Sequence, residues 1–249
     1  GVSPVTVAPS ASLLITAYDW RTAMLVIGIA AWALLIPACF LIRPAPQTAG
    51  GAGAGMNAAP DTEWTAAQAL RTPQFITLAL AHFACCAAHS GPIFHMVSYA
   101  MVCGIAPLTA VTVYSVAGFS GLGGRLLLGA LADRLGAKPV LVAGLLVQAL
   151  CIATYLAVFR LGEFYALSVA FGLAYGGVMP LYAVLIRENF PLRIMGGVMG
   201  AATMVSAIGM AAGMGREVTA IISTVLALIV LALVPLIVKA IDRQPPGAP

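Results

Sequence analysis

Charge is what this sequence has least of. Lys, Arg, Asp and Glu make up 8% of its 249 residues, against about 25% in a soluble globular domain. With 61% hydrophobic residues and a mean hydropathy of +1.03, the chain cannot cover a surface that faces water. That excludes a soluble enzyme or a nucleic-acid-binding module, and a net charge of +4 then says nothing about nucleic acid. Alternation of apolar and polar residues is also missing, which excludes membrane-spanning strands. Cys39, Cys85, Cys86, Cys103 and Cys151 all fall inside apolar runs, so they read as packed free thiols rather than a disulfide framework.

What is present is a series of long apolar runs, at about 23–42, 74–100, 107–132, 139–159, 163–186, 194–214 and 218–240. Each has about the twenty residues that a helix needs to cross a ~30 Å hydrocarbon core. Residues 1–17 are apolar but short and interrupted by Pro4 and Pro9; the chain is expected to begin inside a helix and to be part of a longer protein. Between them the character changes. "RPAPQTAGGAGAGMNAAPDTEW" reads as a flexible linker, and "DTEWTAAQALRTP" as a short interfacial helix capped by Asp61 or Thr62, anchored by Trp64 and ended by Pro73. The expected organisation is therefore 1–42 as the end of one helix plus a whole one, 43–73 as linker, 74–240 as a six-helix bundle and 241–249 as a tail.

The cations orient these spans. Of twelve Lys and Arg, eight fall on one side (Arg43, Arg71, Arg134, Lys138, Arg187, Arg193, Lys239, Arg243), three on the other (Arg21, Arg160, Arg216), and Arg125 lies within a span. By the positive-inside rule the eight-cation side is cytoplasmic, which places linker and C-terminus there.

"GRLLLGALADRLGAK" resembles the signature loop of the major facilitator superfamily, a Gly, three residues, Asp-Arg, then Gly and a basic residue. In that family the loop joins helices two and three and recurs between helices eight and nine; a long linker two spans upstream selects the second position. On this resemblance residues 1–17 correspond to the end of helix five, "YDWR" to the turn into helix six, and 74–240 to helices seven to twelve. "EFYALSVAFGLAYGGVMPLYAVLIRENF" resembles helix ten of bacterial members related to monocarboxylate transporters and oxalate/formate antiporters. The resemblance implies an all-α integral membrane fold, this chain being the C-terminal six-helix bundle plus one preceding helix and a partial one. It implies secondary transport of a small organic anion, a mono- or dicarboxylate, by alternating access between two halves. The expected partners are the bilayer, the carboxylate, a coupled proton or counter-anion and the missing N-terminal half; the expected location is a bacterial inner membrane. No cofactor or metal site is expected. After Gly213 the sequence departs from the family, with a shortened stretch before the last span.

Particular residues carry this reading. Gly129 would allow close helix approach and Gly136 a turn with positive φ. Asp133 at the membrane boundary needs a partner among Arg134, Lys138, Arg187 and Arg193, with Glu188 as a second acid; the resemblance implies a cytoplasmic charge latch. Arg125 lies eight residues before Asp133, so about 12 Å into the membrane. No acid lies inside any span, so a bound carboxylate would suit its planar fork, as would helix carbonyls or an acid in another half. In monocarboxylate-transporter relatives an arginine at what resembles this position binds substrate; the acid four residues earlier in some of them is Gly121 here.

In "HFACCAAHSGPIFH", His82, Cys85, Cys86 and His89 share one helix face. The histidines are about 10 Å apart along the axis, too far for one tetrahedral ion; two of the four could bind metal only with help from elsewhere. Pro92 should kink this helix, and His89, Ser90, His95 and Tyr99 suit a gate or pocket wall. Tyr175 offers a hydroxyl, Gly176 and Gly177 close packing and Pro180 a bend. Small residues at 196, 200, 209 and 213 have the spacing of tight helix contact. The expected substrate-facing set is Arg125, His89, Tyr99 and Tyr175. Rival readings are a non-transporting truncated protein or scaffold, and an intramembrane serine protease built on "GFSG" (118–121) and "AHSG" (88–91).

Overall fold

The computed structural model describes residues 3–41 and 65–213. The expected span over 218–240, the tail and most of the linker lie outside the described residues. Within them the chain is helical: α1 (Ser3–Ala17), α2 (Trp20–Leu41), α3 (Ala66–Ala69), α4 (Pro73–Val102), α5 (Pro107–Leu135), α6 (Ala137–Thr154), α7 (Leu161–Asn189) and α8 (Met195–Gly213). Six segments are long and apolar enough to span a bilayer, 20–41, 73–102, 107–135, 137–154, 161–189 and 192–213. The physical cause is the one read from the sequence: in hydrocarbon, only a helix satisfies every backbone polar group within one segment.

Helix ends follow local chemistry and correct three expectations. α1 runs unbroken through Pro9, not interrupted there as expected. Pro4 sits in the first turn, where its missing N–H is not needed; near Pro9 the Ser10 hydroxyl donates to the Thr6 carbonyl. The cap of α3 is Thr65 rather than Asp61 or Thr62: its Oγ1 accepts from Gln68 N–H at 3.3 Å while Gln68 Oε1 accepts from Thr65 N–H at 2.9 Å, a reciprocal capping box. Pro73 does not end that helix but starts the next, at the N-terminus of α4 behind the cap Thr72, because proline's fixed φ is already helical. In the α1–α2 turn, Asp19 accepts from the Thr22 side chain and from its N–H at 2.6 Å, which holds the carboxyl below its ordinary value.

The helices pair through glycines. α5 lies along α7 so closely that a Cβ at Gly124 would fall 2.7 Å from the Leu173 carbonyl carbon, and one at Gly177 would fall 2.6 Å from the Gly124 oxygen. α4 meets α8 in the same way, with Gly209 on the Phe83 backbone and Gly213 on Ala87 and Ser90. α6 packs on α7, and α1 on α5. Two glycine expectations are corrected. Gly129 has open space where its Cβ would be, and so do Gly196 and Gly200; the small-residue spacing is real at all these positions but only Gly209 and Gly213 face a neighbour. α2 touches α1 and exposes apolar side chains all round, Trp32 and Phe40 among them.

The core divides into two apolar layers. One, toward the end of the bundle that holds Asp133, contains Phe75, Leu78, Leu141, Leu145, Leu181 and Leu185. The other contains Met96, Val113, Ile152, Phe164 and Phe171. On each helix the residues between the two layers lie at mid-depth.

Candidate functional site

Polar side chains collect in that intermediate level. On α5 it holds Ser120 to Arg125, on α6 Gln148 and on α7 Tyr175, each between the buried residues of the two layers in sequence, and on α4 His89 and Ser90 follow Ala88 at the near edge of the second layer. A polar group in hydrocarbon is costly unless it is bonded, so these groups gather where helices can satisfy them.

His89 is fully buried and sits at the centre. Its Nδ1 lies 3.2 Å from Gln148 Nε2 and 3.7 Å from Cys85 Sγ, and Gln148 Nε2 is 3.4 Å from the same sulfur. The His89 ring packs on Tyr175 with centroids 4.8 Å apart, and Tyr175 stacks on Phe171 at 5.7 Å. Arg125 is exposed on the surface of α5. His82 stacks on Tyr182 at 4.2 Å. His89 Nε2, Gln148 Oε1, His82 Nδ1 and the Tyr182 hydroxyl are buried without a hydrogen-bond partner among the described residues.

Of the four expected substrate-facing residues, His89 and Tyr175 are in ring contact, with His89 buried rather than on a free surface, and Arg125 stands exposed on α5. Tyr99 is elsewhere: its hydroxyl donates to the Val158 carbonyl at 3.1 Å and its ring meets Phe164 in the second apolar layer. Pro92 is buried within α4 and Pro180 exposed within α7, and both helices continue through them.

The motif residues share one end of the bundle. Asp133 and Arg134 are exposed in the last turn of α5, Lys138 is half-buried in the first turn of α6, and Gly136 joins them with a φ of +91° that only glycine adopts freely. Arg187 and Glu188 are exposed at the end of α7, Arg193 in the turn before α8.

Gln148 was not anticipated. Its signal was a lone amide in the middle of an apolar run, which requires a partner inside the bundle. Among the described residues no three of His, Cys, Asp and Glu gather so as to hold a metal ion. The protease geometry is absent too: Ser120 Oγ donates to the helix carbonyls of Val116, at 2.7 Å, and Ala117, and His89 Nδ1 is engaged by Cys85 and Gln148. Among the described residues no base is placed on Ser120 to take its proton.

Long apolar helices closed by glycine contacts around a polar level define a multi-pass membrane protein. The family model of the Major Facilitator Superfamily matches residues 1–214, and the chain belongs to that superfamily. Comparison with curated proteins gives no match.

Proposed function

We propose that the chain is the C-terminal part of a secondary transporter that carries a small organic anion, a mono- or dicarboxylate, by alternating access. The observation that carries this reading is Arg125. It stands inside a membrane-spanning helix, exposed on the bundle surface, and the acids of the described residues all lie at helix ends or in turns. A guanidinium in that position attracts a carboxylate that arrives from water, and its planar fork fixes the orientation of the anion. The likeness of α7 to helix ten of monocarboxylate and oxalate/formate carriers supports the same substrate class. On this reading the end that holds Asp133 faces the cytoplasm of a bacterial cell, and Asp133, Arg134, Lys138, Arg187, Glu188 and Arg193 latch that side.

The test is substrate affinity in the transporter completed by an N-terminal half, with variants compared at equal folded amount. Arg125→Lys keeps the charge and loses the fork; Arg125→Gln loses both. Loss of a charge-assisted hydrogen bond of about 1.5–3 kcal/mol corresponds to roughly ten- to a hundredfold in affinity. Unchanged affinity in Arg125→Gln removes the binding role. A loss of folded protein that is restored by swapping charges with an acid of the other half makes Arg125 structural.

A further inference from the structure

We propose that the bundle opens along one internal seam, α4 and α8 moving as one body against α5, α6 and α7, and that the opening admits water as far as Cys85. This inference stands on the packing of the helices and holds whatever the chain carries.

Two kinds of helix contact are present. Between α5 and α7 backbone meets backbone: a Cβ at Gly172 would strike the Ala117 oxygen, and one at Gly176 the Gly121 oxygen. α8 is fixed on α4 in the same way, Gly209 on the Phe83 oxygen and Gly213 on that of Ala87. α6 is keyed to α7 at Gly144, which faces Val178. Backbone atoms have no rotamer to change, so a tilt or slide between partners of this kind drives a carbonyl into the facing helix.

Between α4 and α7 side chains meet instead, in a ladder with a seven-residue step. His82 stacks on Tyr182, His89 packs on Tyr175, and Ser168 Oγ donates to Met96 Sδ at 3.6 Å. Positions rise by seven on α4 as they fall by seven on α7, so the helices run antiparallel and successive rungs lie two turns, about 10.5 Å, apart. Phe75 against Phe190, with ring centroids 6.4 Å apart, ends the ladder near Asp133. Such side chains can change rotamer, so this seam parts while the glycine contacts stay closed.

The closed seam is also poorly satisfied. Of the five buried side-chain polar atoms without a hydrogen-bond partner among the described residues, three belong to its rungs: His82 Nδ1, His89 Nε2 and the Tyr182 hydroxyl. An unpaired buried group is costly, and water that enters the seam relieves the cost. The two ends of the seam differ. At one, the Tyr99 hydroxyl ties α4 to the Val158 carbonyl and the short turn 103–106 joins α4 to α5. At the Asp133 end the connecting turn, 190–194, is longer, and a small cavity lined by Gln74, Leu78, Leu185, Asn189 and Phe190 lies between the first turns of α4 and the last of α7. The seam therefore parts from the Asp133 end.

Two adjacent cysteines, both buried, read the two kinds of contact. Cys85 faces the seam, 3.4 Å from Gln148 Nε2. Cys86 stands on the face of α4 that carries Phe83, Ala87 and Ser90, the residues that meet Gly209 and Gly213 of α8. The purified chain, with no residue replaced, is treated in detergent with a charged, water-soluble methanethiosulfonate. Peptide mass spectrometry locates the label at low conversion, and rates are normalised to the denatured chain. We expect Cys85 to react at least ~10-fold faster than Cys86, because opening of the seam exposes only the first whereas global unfolding exposes both. Tyr182→Phe removes an unpaired hydroxyl from the closed seam and should slow Cys85 by roughly tenfold, the worth of one unpaired buried group, with Cys86 unchanged. Equal rates at the two cysteines, or a Cys85 that stays unlabelled, overturn the proposal, and this comparison needs no variant to fold. No substrate is present, so the result is independent of whether Arg125 binds an anion.

Discussion

Two glycines five residues apart on α5 should respond to the same substitution in opposite ways. At Gly124 an added Cβ would lie 2.7 Å from the carbonyl carbon and 2.8 Å from the Cα of Leu173, backbone that cannot swing aside; at Gly129 it would meet nothing within 4 Å. Unstrained carbon contacts need about 3.5–4.0 Å, so Gly124→Ala must move α5 from α7 by roughly 0.7–1.3 Å. Overpacking of this kind costs about 1–3 kcal/mol. Gly129→Ala meets no such obstacle and restricts the unfolded chain, a gain of about 0.4–1 kcal/mol. For a chain of this size each kcal/mol moves the unfolding midpoint by about 2–4 °C, so the two variants should differ by roughly 3–16 °C, on opposite sides of the parent. The assay is the fraction of a fluorescent fusion that remains monodisperse in detergent after heating, read by size-exclusion chromatography. Equal midpoints for Gly124→Ala and Gly129→Ala would refute the claim that backbone contact between α5 and α7 holds the bundle together.

Other outcomes test separate parts of the structure. Thr72→Ala removes the acceptor of Phe75 N–H and the donor to the Ala69 carbonyl, so the midpoint should fall by an amount that corresponds to about 0.5–2 kcal/mol, and Thr72→Ser should restore most of it. In a cysteine-free background, Leu192→Cys and Phe159→Cys, both exposed but at opposite ends of the bundle, should react with an impermeant thiol reagent from opposite sides, Leu192→Cys from the cytoplasm; the reverse pattern overturns the orientation. Asp133→Asn, at an exposed site, should slow transport with little change in unfolding midpoint, and an unaltered transport rate counts against the latch. The 249-residue chain alone in proteoliposomes should show no saturable uptake unless an N-terminal half is supplied; robust uptake refutes the division of labour or indicates that two copies assemble.

The number, length and order of the spans in residues 20–213 were legible in the sequence, because a bilayer demands long apolar helices and hydropathy is a property of each segment by itself. The turn at Gly136 was legible for a similarly local reason, a short polar break between two spans with a single glycine able to take positive φ. What each helix turns toward its neighbours was not. These helices are apolar on every side, so no hydrophobic stripe distinguishes lipid from protein. Gly196 and Gly200 have the same spacing as Gly209 and Gly213, yet only the second pair meets another backbone. His82, Cys85, Cys86 and His89 share one face in the sequence, but it took α6 to single out Cys85 and His89 by placing the Gln148 amide between them. Arg125 announced itself as a mid-membrane cation, while the ring contact of His89 with Tyr175, eighty-six residues away, depends on how α4 and α7 turn toward each other. Insertion into the membrane is decided residue by residue along one helix; the meeting of two helices depends on rotations that in hydrocarbon only close packing and shared polar groups can set.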